Sequence, residues 1–457
     1  MNNQVHWDRA LIEKYSISGP RYTSYPTALQ FDESFTSSNM IEVLNSSDKS
    51  KPISLYVHIP FCENICYYCA CNKVITKDRS KAVHYIEALL KEAEQIAPLL
   101  AGRLVTQMHW GGGTPTFLTN EEIKQVTDRL KELFKFSEKS EISIEIDPRS
   151  MDRKTLPALA KLGFNRLSLG VQDFNPKVQK SVNRIQPYEM TRKALLDARK
   201  YGFESINIDL IYGLPFQSVE TFKETIRQVI EMAPDRLSVF NYAHLPHRFK
   251  PQRRINADEL PSGGEKIAIL EMTIKKLTEA GYVYIGMDHF ALPHDELTLA
   301  QEHGDLHRNF QGYTTNADCD LIGLGVSSIS KVSDSYYQNE RDLKTYYAHI
   351  DNNEYATWRG YELTEDDKIR RDVIMHLICQ FNLEFRTVEK RYGIVFSDYF
   401  KDELDSFDDI VSDGLAEITA EGIQVSQAGR LLIRNICMIF DQHFKQLKSM
   451  TIYSAAI

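Results

Sequence analysis

The sequence predicts an α/β protein: an open (β/α)6 barrel with an N-terminal extension before it and a mainly helical C-terminal domain after it. Between residue 53 and about residue 290, short apolar runs alternate with amphipathic stretches, a pattern typical of a parallel sheet with helical connections. After about residue 363 helical patterns dominate. We therefore expect an N-terminal strap or lid at 1–50, a barrel with a pocket extension at 51–362, and a mainly helical domain at 363–457.

Six strands and six helices make up the expected alternation. The strands are predicted at 53–59, 104–110, 141–146, 165–171, 205–210 and 236–242. The helices are predicted near 80–99, 120–136, 152–162, 187–201, 218–232 and 263–280.

Several of these strands alternate apolar and polar residues, although parallel strands buried on both faces usually read as continuous apolar runs. In the strand at 205–210, Ile206 and Ile208 share one face and Asn207 takes the other. The apolar face must meet the helices, so we expect a polar interior that holds a ligand; the alternative is an open sheet with that face in solvent. Four polar residues lie near the carboxyl ends of their strands, where barrel active sites lie: Tyr56, Glu145, Gln172 and Asp209.

Three cysteines, Cys62, Cys66 and Cys69, follow the first strand in the spacing C-x3-C-x2-C, and Cys71 comes two residues later. A structural zinc site normally has four protein ligands, and a [4Fe-4S] cluster normally has four cysteines. Three thiolates on one loop indicate a cluster with one iron left open for a small-molecule ligand. A zinc site with Cys71 as its fourth ligand and a chance grouping are the alternatives.

Further candidates for ligand binding follow the second, fourth and fifth strands. The run Gly111–Gly113 before Thr114 lets the backbone approach a ligand, although any tight turn can use such a run and it lacks the spacing of a phosphate loop. Arg184 can hold a carboxylate through two contacts or form an ordinary surface ion pair. Asp209 can accept hydrogen bonds from ribose hydroxyls.

Two segments have both a structural and a functional interpretation. Residues 19–27 contain two prolines and a glycine, which predicts an extended segment. It is either a strap on the barrel surface or a lid that brings Arg21 and Tyr22 to an anionic ligand. The basic loop at 244–254 is either a solvated face or a clamp for a polyanionic substrate.

Composition excludes several classes of protein. The net charge of −9 disfavours a general nucleic-acid binder, and no apolar run reaches the ~18 residues that span a bilayer. The N-terminus lacks the basic and apolar regions of a signal peptide, and four of the seven cysteines fall within ten residues, unlike a disulfide framework. We expect a cytoplasmic protein without a nucleic-acid or membrane partner.

The cysteine spacing, with an aromatic residue before the third cysteine, resembles the signature of the radical S-adenosylmethionine (SAM) superfamily. The resemblance implies an open radical-SAM barrel and a [4Fe-4S] cluster on Cys62, Cys66 and Cys69, whose fourth iron binds SAM. One electron, from a flavodoxin- or ferredoxin-like donor, then cleaves SAM to methionine and a 5'-deoxyadenosyl radical. This radical abstracts hydrogen from an unactivated carbon.

The sequences GPRYTSYPTA, GGGTP, DLIYGLPFQ and HRNFQGYTT are similar to the coproporphyrinogen dehydrogenase branch of that superfamily, and the resemblance covers nearly the whole chain. It implies a monomeric enzyme of haem biosynthesis that converts two propionates of coproporphyrinogen III to vinyl groups, giving protoporphyrinogen IX and consuming two SAM molecules. The alternatives are a radical-SAM-like haem chaperone, which tends to lack GPRYTSYPTA and Cys71, and a zinc-stabilised binding protein.

The same resemblance implies roles for individual residues. Contacts to SAM are expected from Tyr56, Tyr68, Gly112, Gly113, Thr114, Glu145, Gln172, Arg184, Asp209, Ala243 and Ile329. Members of this family hold a second SAM beside the first, for which Gln172, Arg184, Asp209 and Ala243 are suited, with Gly113 and Thr114 shared. Arg21, Tyr22, Phe310 and Gln311 are expected to contact substrate or form the lid, and Cys71 to lie near the cluster. Tyr56 and Tyr68 have an alternative as packing aromatics.

Overall fold

The computed structural model describes residues 5–317 and 319–447, which form two compact units. The sheet unit contains residues 31–261 and the described residues of 318–362. The helical unit contains the described parts of 1–30, 262–317 and 363–457. This division differs from the three consecutive segments expected from the sequence, whose boundaries stay a prediction.

Six parallel strands form the centre of the sheet unit, and each is hydrogen-bonded to the next in chain order. They are β1 Ile53–Ile59, β2 Leu104–Gly112, β3 Lys135–Ile146, β4 Arg166–Gln172, β5 Ser205–Tyr212 and β6 Arg236–Asn241. The helices that follow β1 to β5 are Ser80–Ile96, Asn120–Leu133, Thr155–Lys161, Pro176–Ser181, Tyr188–Lys200 and Val219–Met232. This is the predicted open (β/α)6 barrel, although β3 begins six residues earlier than expected.

The sheet continues beyond β1 through four strands that the sequence analysis did not predict. Asp320–Leu324 pairs with β1 in parallel, and Ile329–Val332, Ser335–Asn339 and Thr357–Glu362 follow in antiparallel order. Every residue of Asp320–Leu324 is buried, so its low charge reflects burial within the sheet.

The barrel helices begin where side chains can bond the free backbone N–H groups of their first turn. At the helix Asn120–Leu133, the Thr119 hydroxyl accepts a hydrogen bond from the backbone N–H of Glu122 at 3.2 Å. The Glu122 carboxylate in turn accepts from the backbone N–H of Thr119 at 2.7 Å. Such a capping box sets the start of a helix, and Ser218 with Thr221 forms another before Val219–Met232.

The barrel strands separate an apolar face from a polar one, as predicted. On β1, Leu55 and Val57 are fully buried, and burying each such side chain contributes about 1.5–3 kcal/mol. On the opposite face, Ser54 donates a hydrogen bond to the Gln107 side-chain oxygen at 2.8 Å. Gln107 donates in turn to Glu141 at 3.1 Å, so one polar layer crosses β1, β2 and β3.

Further polar layers lie towards the carboxyl ends of the strands. His109 Nδ1 and Ser143 Oγ are 2.6 Å apart between β2 and β3. Asp209 on β5 accepts hydrogen bonds from Ser168 at 3.0 Å and from Asn207 at 2.8 Å. The interior of the barrel is therefore a hydrogen-bonded polar face rather than a packed apolar core.

The helical unit contains short strands and the C-terminal helices. Its helices are Arg9–Lys14, Gly263–Glu279, Glu296–His303, Glu365–Gln380, Phe385–Tyr392, Phe396–Tyr399, Lys401–Asp405, Asp408–Ser412, Ile433–Ile439 and Gln442–Leu447. Its strands are Val283–Gly286, His289–Ala291, His307–Asn309, Gly312–Thr314, Asn382–Glu384, Ala416–Ile418 and Gly422–Val425. Within residues 5–317 and 319–447, no helix has the length and apolarity that a membrane span requires.

The predicted strap or lid is held inside the helical unit by two buried arginines. Arg434 donates from Nε to the carbonyl of Pro20 at 3.0 Å and from Nη2 to the carbonyl of Gly19. Arg308 donates from Nε to the carbonyl of Arg21 at 3.3 Å. Three successive carbonyl groups of an extended segment are therefore bonded to guanidinium groups.

A buried ion pair in the sheet unit gives a stability prediction. Arg103 and Asp320 are 2.7 Å apart, with side chains 0% and 5% exposed. Arg103→Met leaves the Asp320 carboxylate buried without its cation, which should destabilise the fold by about 3–5 kcal/mol. Urea unfolding should show a lower midpoint. Arg129→Met is the matched control, because Arg129 pairs at the surface and its loss should cost at most about 1 kcal/mol. Equal midpoints for the two variants would contradict the prediction.

Candidate functional site

A cavity of about 280 Å³ opens at the carboxyl ends of the barrel strands. The structure brings twelve of the predicted site residues together around it: Cys62, Cys66, Tyr68, Cys69, Cys71, Gly112, Gly113, Thr114, Glu145, Gln172, Arg184 and Asp209. They come from the loop after β1 and from the ends of β2 to β5 or the turns that follow them. Residues up to 147 positions apart in the chain therefore share one site.

Three other predicted residues of the sheet unit lie outside this lining. Tyr56 lies on β1, where its hydroxyl is 3.1 Å from His58 Nδ1 and its ring stacks on His109 with centroids 6.0 Å apart. Ala243 follows β6, and Ile329 begins the strand Ile329–Val332. Their predicted contacts with SAM stay predictions.

The predicted substrate or lid residues belong to the helical unit. Arg21 pairs with Asp288, and Tyr22, which is 1% exposed, donates its hydroxyl to Asp441 at 2.9 Å. Gln311 and Phe310 form the turn between His307–Asn309 and Gly312–Thr314. The side-chain nitrogen of Gln311 is buried and has no hydrogen-bond partner among residues 5–317 and 319–447, so a ligand group would satisfy it.

Several residues that line the cavity were missed by the sequence analysis: Asn64, Lys73, Pro115, Ile146, Asp147, Arg149, Ser168, Gly170, Ile211 and Phe240. Asp147 and Arg149 follow β3 directly, just after Glu145. The rule that selected Glu145, a polar residue at the carboxyl end of a strand, also applied to them. The sequence contained the signal, but their charges had no visible partner until the fold was known.

The glycine turn after β2 needs residues without side chains. Gly112 has φ +111°, and a Cβ there would lie 2.5 Å from the His58 imidazole. A Cβ on Gly113 would lie 2.7 Å from the backbone of Pro60. Gly113 donates its N–H to the carbonyl of Ile59 at 2.8 Å, and Thr114 donates to that of Phe61 at 2.9 Å. The turn is thus joined to the backbone just before the cysteine loop.

Neighbouring elements also hold the cysteine loop from other sides. The Thr114 hydroxyl donates to Cys62 Sγ at 3.3 Å. Asn183 donates its side-chain amide to the carbonyl of Ile65 at 2.7 Å, and Tyr67 donates its N–H to the carbonyl of Val182 at 3.0 Å. The three cysteines are therefore placed by the barrel framework and not by the loop alone.

The thiols differ in their tendency to ionise. Burial raises the pKa of Cys62 to about 11, against the hydrogen bond from Thr114. The hydrogen bond from Cys71 lowers the pKa of Cys69 to about 6, and Lys73 acts in the same direction. Cys71 thus acts on the neighbouring thiol and lines the cavity, and its accessory role near a cluster stays a prediction.

The donor set fits an iron–sulfur cluster. Among the described residues, no three His, Cys, Asp or Glu side chains converge so as to hold one metal ion. A cluster presents a separate iron to each thiolate, so its ligands need not converge on a point. Three thiols from one loop around a shared cavity meet that requirement.

Two guanidinium groups face the sulfur of Cys66. Arg149 Nη2 lies 3.6 Å from Cys66 Sγ, and Arg184 Nη1 lies 3.7 Å from it. Asp147 holds both arginines, at 2.6 Å from Arg149 and 3.2 Å from Arg184. Two cations share one carboxylate, so a net positive charge remains beside a thiolate at this position.

Two carboxyl groups give the cavity an acidic side. Burial raises the pKa of Asp209, and the nearby charge of Glu145 adds to the effect. Glu145 accepts a hydrogen bond from the N–H of Gly112 at 3.3 Å, and one of its oxygens lies 3.5 Å from His109 Nε2. Carboxylates beside a bare glycine backbone suit the sulfonium charge, amino group and ribose hydroxyls of SAM.

Comparisons with known proteins agree with this geometry. A model of the radical SAM superfamily matches residues 56–229, and a model of the HemN C-terminal domain matches residues 363–432. The chain is 53% identical to an oxygen-independent coproporphyrinogen III oxidase of Salmonella typhimurium and 52% identical to that of Escherichia coli, with 99% of each chain covered in both cases. A solved structure of coproporphyrinogen III oxidase from Escherichia coli, described as a radical SAM enzyme, superimposes with a TM-score of 0.93 at 52% identity, over 96% of this chain and 100% of that one.

Replacing single cysteines tests the predicted cluster ligands. Cys66→Ser should abolish the cluster, because a weaker oxygen ligand replaces one of three thiolates. Cys71→Ser, the matched variant five residues away, should remain partly loaded, since Cys71 is expected to be an accessory residue. Iron and acid-labile sulfide are measured after anaerobic purification. Full iron retention in Cys66→Ser, or equal loss in both variants, would contradict the assignment.

Replacing Arg149 tests its effect on a cluster bound to Cys66. Hydrogen bonds and positive charge near a cysteine ligand favour the reduced cluster. Arg149→Met should therefore lower the one-electron reduction potential by about 50 mV, equivalent to roughly 1 kcal/mol. Potentiometric titration followed by electron paramagnetic resonance gives the value. Arg153→Met, at an exposed arginine four residues away, should leave the potential unchanged. An unchanged potential in Arg149→Met would show that the contact has no such effect.

Proposed function

Because the chain belongs to the family of oxygen-independent coproporphyrinogen III oxidases, within the radical SAM superfamily, we propose that it converts coproporphyrinogen III to protoporphyrinogen IX. In this reaction two propionate side chains lose carbon dioxide and two electrons each and become vinyl groups. The chain is thus a radical SAM oxidoreductase of porphyrin and haem biosynthesis. The observation that carries the proposal is the cavity where three cysteines, a bare glycine turn and two carboxylates meet.

The cofactors are a [4Fe-4S] cluster and SAM, with two SAM molecules proposed for each turnover. Together they supply hydrogen-atom abstraction from an unactivated carbon, which the propionate chemistry requires. Cys62, Cys66 and Cys69 are the proposed cluster ligands. Their common loop and the contacts that place it support this role, and the zinc-protein alternative has no comparable support.

The polar residues of the cavity bind and orient SAM in this proposal. Gly112 and Gly113 bring backbone groups close to the ligand, and Glu145 accepts hydrogen bonds from its amino group. Asp209 accepts hydrogen bonds from the ribose hydroxyls, and its position in the cavity lining supports this role. Arg184 holds a carboxylate while Asp147 fixes the direction of its guanidinium group. The remaining proposed contacts with SAM are Tyr56, Tyr68, Thr114, Gln172, Ala243 and Ile329.

We propose a second SAM beside the first, and most of the residues expected to bind it lie in one cavity. Gln172, Arg184 and Asp209 line the same cavity as Gly113 and Thr114, which supports a shared site. Ala243 is added on the resemblance alone.

The substrate carries several carboxylates, and its proposed contacts lie in the helical unit. Arg21 is the strongest candidate because its side chain is 32% exposed and carries a fixed positive charge. Phe310 and Gln311 are proposed as pocket wall, supported by the buried and unsatisfied amide nitrogen of Gln311. For Tyr22 to contact substrate, its hydrogen bond to Asp441 would have to break.

The remaining proposals concern the setting of the reaction. The cluster requires a one-electron donor, which we propose is a flavodoxin- or ferredoxin-like protein. The enzyme acts as a cytoplasmic monomer without a nucleic-acid partner. The proposed domains remain 1–50, 51–362 and 363–457. The matched C-terminal model begins at residue 363, which supports the boundary between the second and third domains.

An anaerobic assay tests the reaction directly. The reconstituted protein, given SAM, a chemical reductant, an electron acceptor and coproporphyrinogen III, should yield protoporphyrinogen IX with two methionines and two molecules of carbon dioxide for each product. Asp209→Asn should lower the affinity for SAM about 10-fold, through loss of a charge-assisted hydrogen bond. Asp197→Asn, on an exposed face of the helix Tyr188–Lys200, is the control and should behave like the wild type. Cluster loading without any conversion of coproporphyrinogen III would favour the haem-chaperone alternative.

A further inference from the structure

The residues between Cys66 and Cys69 pack into a small apolar cluster with the segments that follow β4, β5 and β6. Tyr67 and Tyr68, which separate Cys66 from Cys69, pack against the buried residues Val178, Val182, Leu214, Tyr242 and Ile255. Val178 belongs to the helix Pro176–Ser181, and Ile255 directly follows the short 3-10 helix Lys250–Arg254. These segments therefore meet at the residues between two proposed cluster ligands.

Two contacts join the basic loop to the cysteine loop directly. The Gln252 side chain donates a hydrogen bond to the carbonyl of Tyr68 at 3.0 Å. The guanidinium carbon of Arg254 lies 5.3 Å from the centre of the Tyr67 ring, within the range of a cation–π interaction. The loop thus lies against the cluster-binding segment, and its residues are not part of the described cavity lining.

Around this contact the exposed surface is positively charged. We call it the basic face, and its exposed cations are Lys177, Lys180, Arg248, Lys250, Arg253 and Arg254. Lys177 lies 3.8 Å from the Phe216 ring, which packs on the same apolar cluster. Over residues 176–182 and 247–260 the acids are Asp258 and Glu259. Six cations against two carboxylates are unusual in a chain whose net charge is −9.

We propose that the basic face is the docking surface for a small acidic protein that carries one electron, such as a ferredoxin or flavodoxin. The inference rests on the proposed function, because only a cluster at Cys62, Cys66 and Cys69 needs this electron. In the step, one electron leaves the reduced carrier and the cluster passes from its 2+ to its 1+ state. No bond forms or breaks and no proton is transferred.

The physical features of the basic face suit such a transient partner. Electron-transfer encounters bury little area, so their association depends on complementary charge rather than on a large apolar interface. Opposite charge steers the carrier to the face and raises the association rate. Docking at the basic face brings the carrier close to the segment that holds Cys66 and Cys69, because Gln252 and Arg254 contact Tyr68 and Tyr67 directly.

Charge reversal tests the docking surface on the complete holoenzyme. Cluster reduction is followed by rapid freezing and electron paramagnetic resonance, with a reduced ferredoxin of the acidic plant type as the donor. Lys250→Glu/Arg253→Glu and, independently, Lys177→Glu/Lys180→Glu should each lower the second-order rate constant about 10-fold or more at low salt. The difference should disappear near 1 M salt, where charges are screened within about 3 Å.

Matched controls separate docking from folding. Lys135→Glu/Lys139→Glu reverses two exposed lysines at the amino end of β3 and should keep the wild-type rate. Lys250→Gln/Arg253→Gln should show an intermediate loss with full iron content. Photoreduced 5-deazaflavin, a small donor that needs no docking surface, should reduce all variants at the wild-type rate.

Several results would overturn the proposal. These are wild-type rates with ferredoxin in both charge-reversed pairs, an equal loss in the control pair, and a wild-type cluster that deazaflavin reduces but ferredoxin does not. An unchanged reduction rate with a raised KM for coproporphyrinogen III would overturn it in favour of a substrate clamp. Because the readout is the cluster itself, steered reduction without any decarboxylation would contradict the proposed reaction and still support the surface.

Discussion

The rest of this structure depends on one polar strand face inside a barrel, whose side chains all need hydrogen-bond partners. Buried polar groups without partners are costly, so each layer of this face must bond across the strands. At the amino ends of the strands, Ser54 is 1% exposed and its hydroxyl is hydrogen-bonded to Gln107, so it is not accessible to a ligand. At the carboxyl side the Glu145 side chain is 46% exposed, so part of its bonding capacity remains open. The same face is closed at one end and is a binding surface at the other.

The cysteine loop crosses the open end, and the residues around it divide the charge between two sides. On the cavity side Arg149 and Arg184 bring positive charge to Cys66. The Asp147 carboxylate pairs with both guanidinium groups and offsets part of the repulsion between them. Outside the cavity lining, Arg254 lies over the Tyr67 ring and belongs to the basic face, whose cations are exposed. One short loop is thus exposed to two electrostatic environments, one facing cofactors and one facing solvent.

The sequence predicts those parts of the fold that depend on patterns within a short stretch of the chain. The alternation of Ile206, Asn207 and Ile208 is a period of two, so the strand and its polar face follow directly from it. The strand Asp320–Leu324 was missed because all its residues are buried and its partner β1 lies about 260 residues earlier in the chain. The start of β3 was missed because Phe136 is the only apolar residue in 135–140, and the pairing with β2 is interrupted by a register shift before Glu141.

The site divides in the same way. Cysteine spacing and glycine runs are local, and twelve residues selected from such patterns and from a family resemblance meet at one cavity. Arg149 has the local signal of a charged residue just after a strand, but its role depends on Cys66, which lies 83 residues away. Folding brings together charged residues that are distant in the chain, so the ion pairs of a site cannot be predicted from the patterns of a single sequence.

The N-terminal segment shows how contacts decide between two interpretations that the sequence left open. A lid that moves would have to break the hydrogen bonds from Arg434 and Arg308 to the carbonyls of residues 19–21. Hydrogen bonds to charged groups contribute about 1.5–3 kcal/mol each, and Tyr22, with 1% of its surface exposed, would lose its burial as well. These terms favour a fixed strap of the helical unit. Arg21 then remains the part of the segment with a partly exposed cationic side chain, paired with Asp288, so the proposed contact with a substrate carboxylate would involve its guanidinium group.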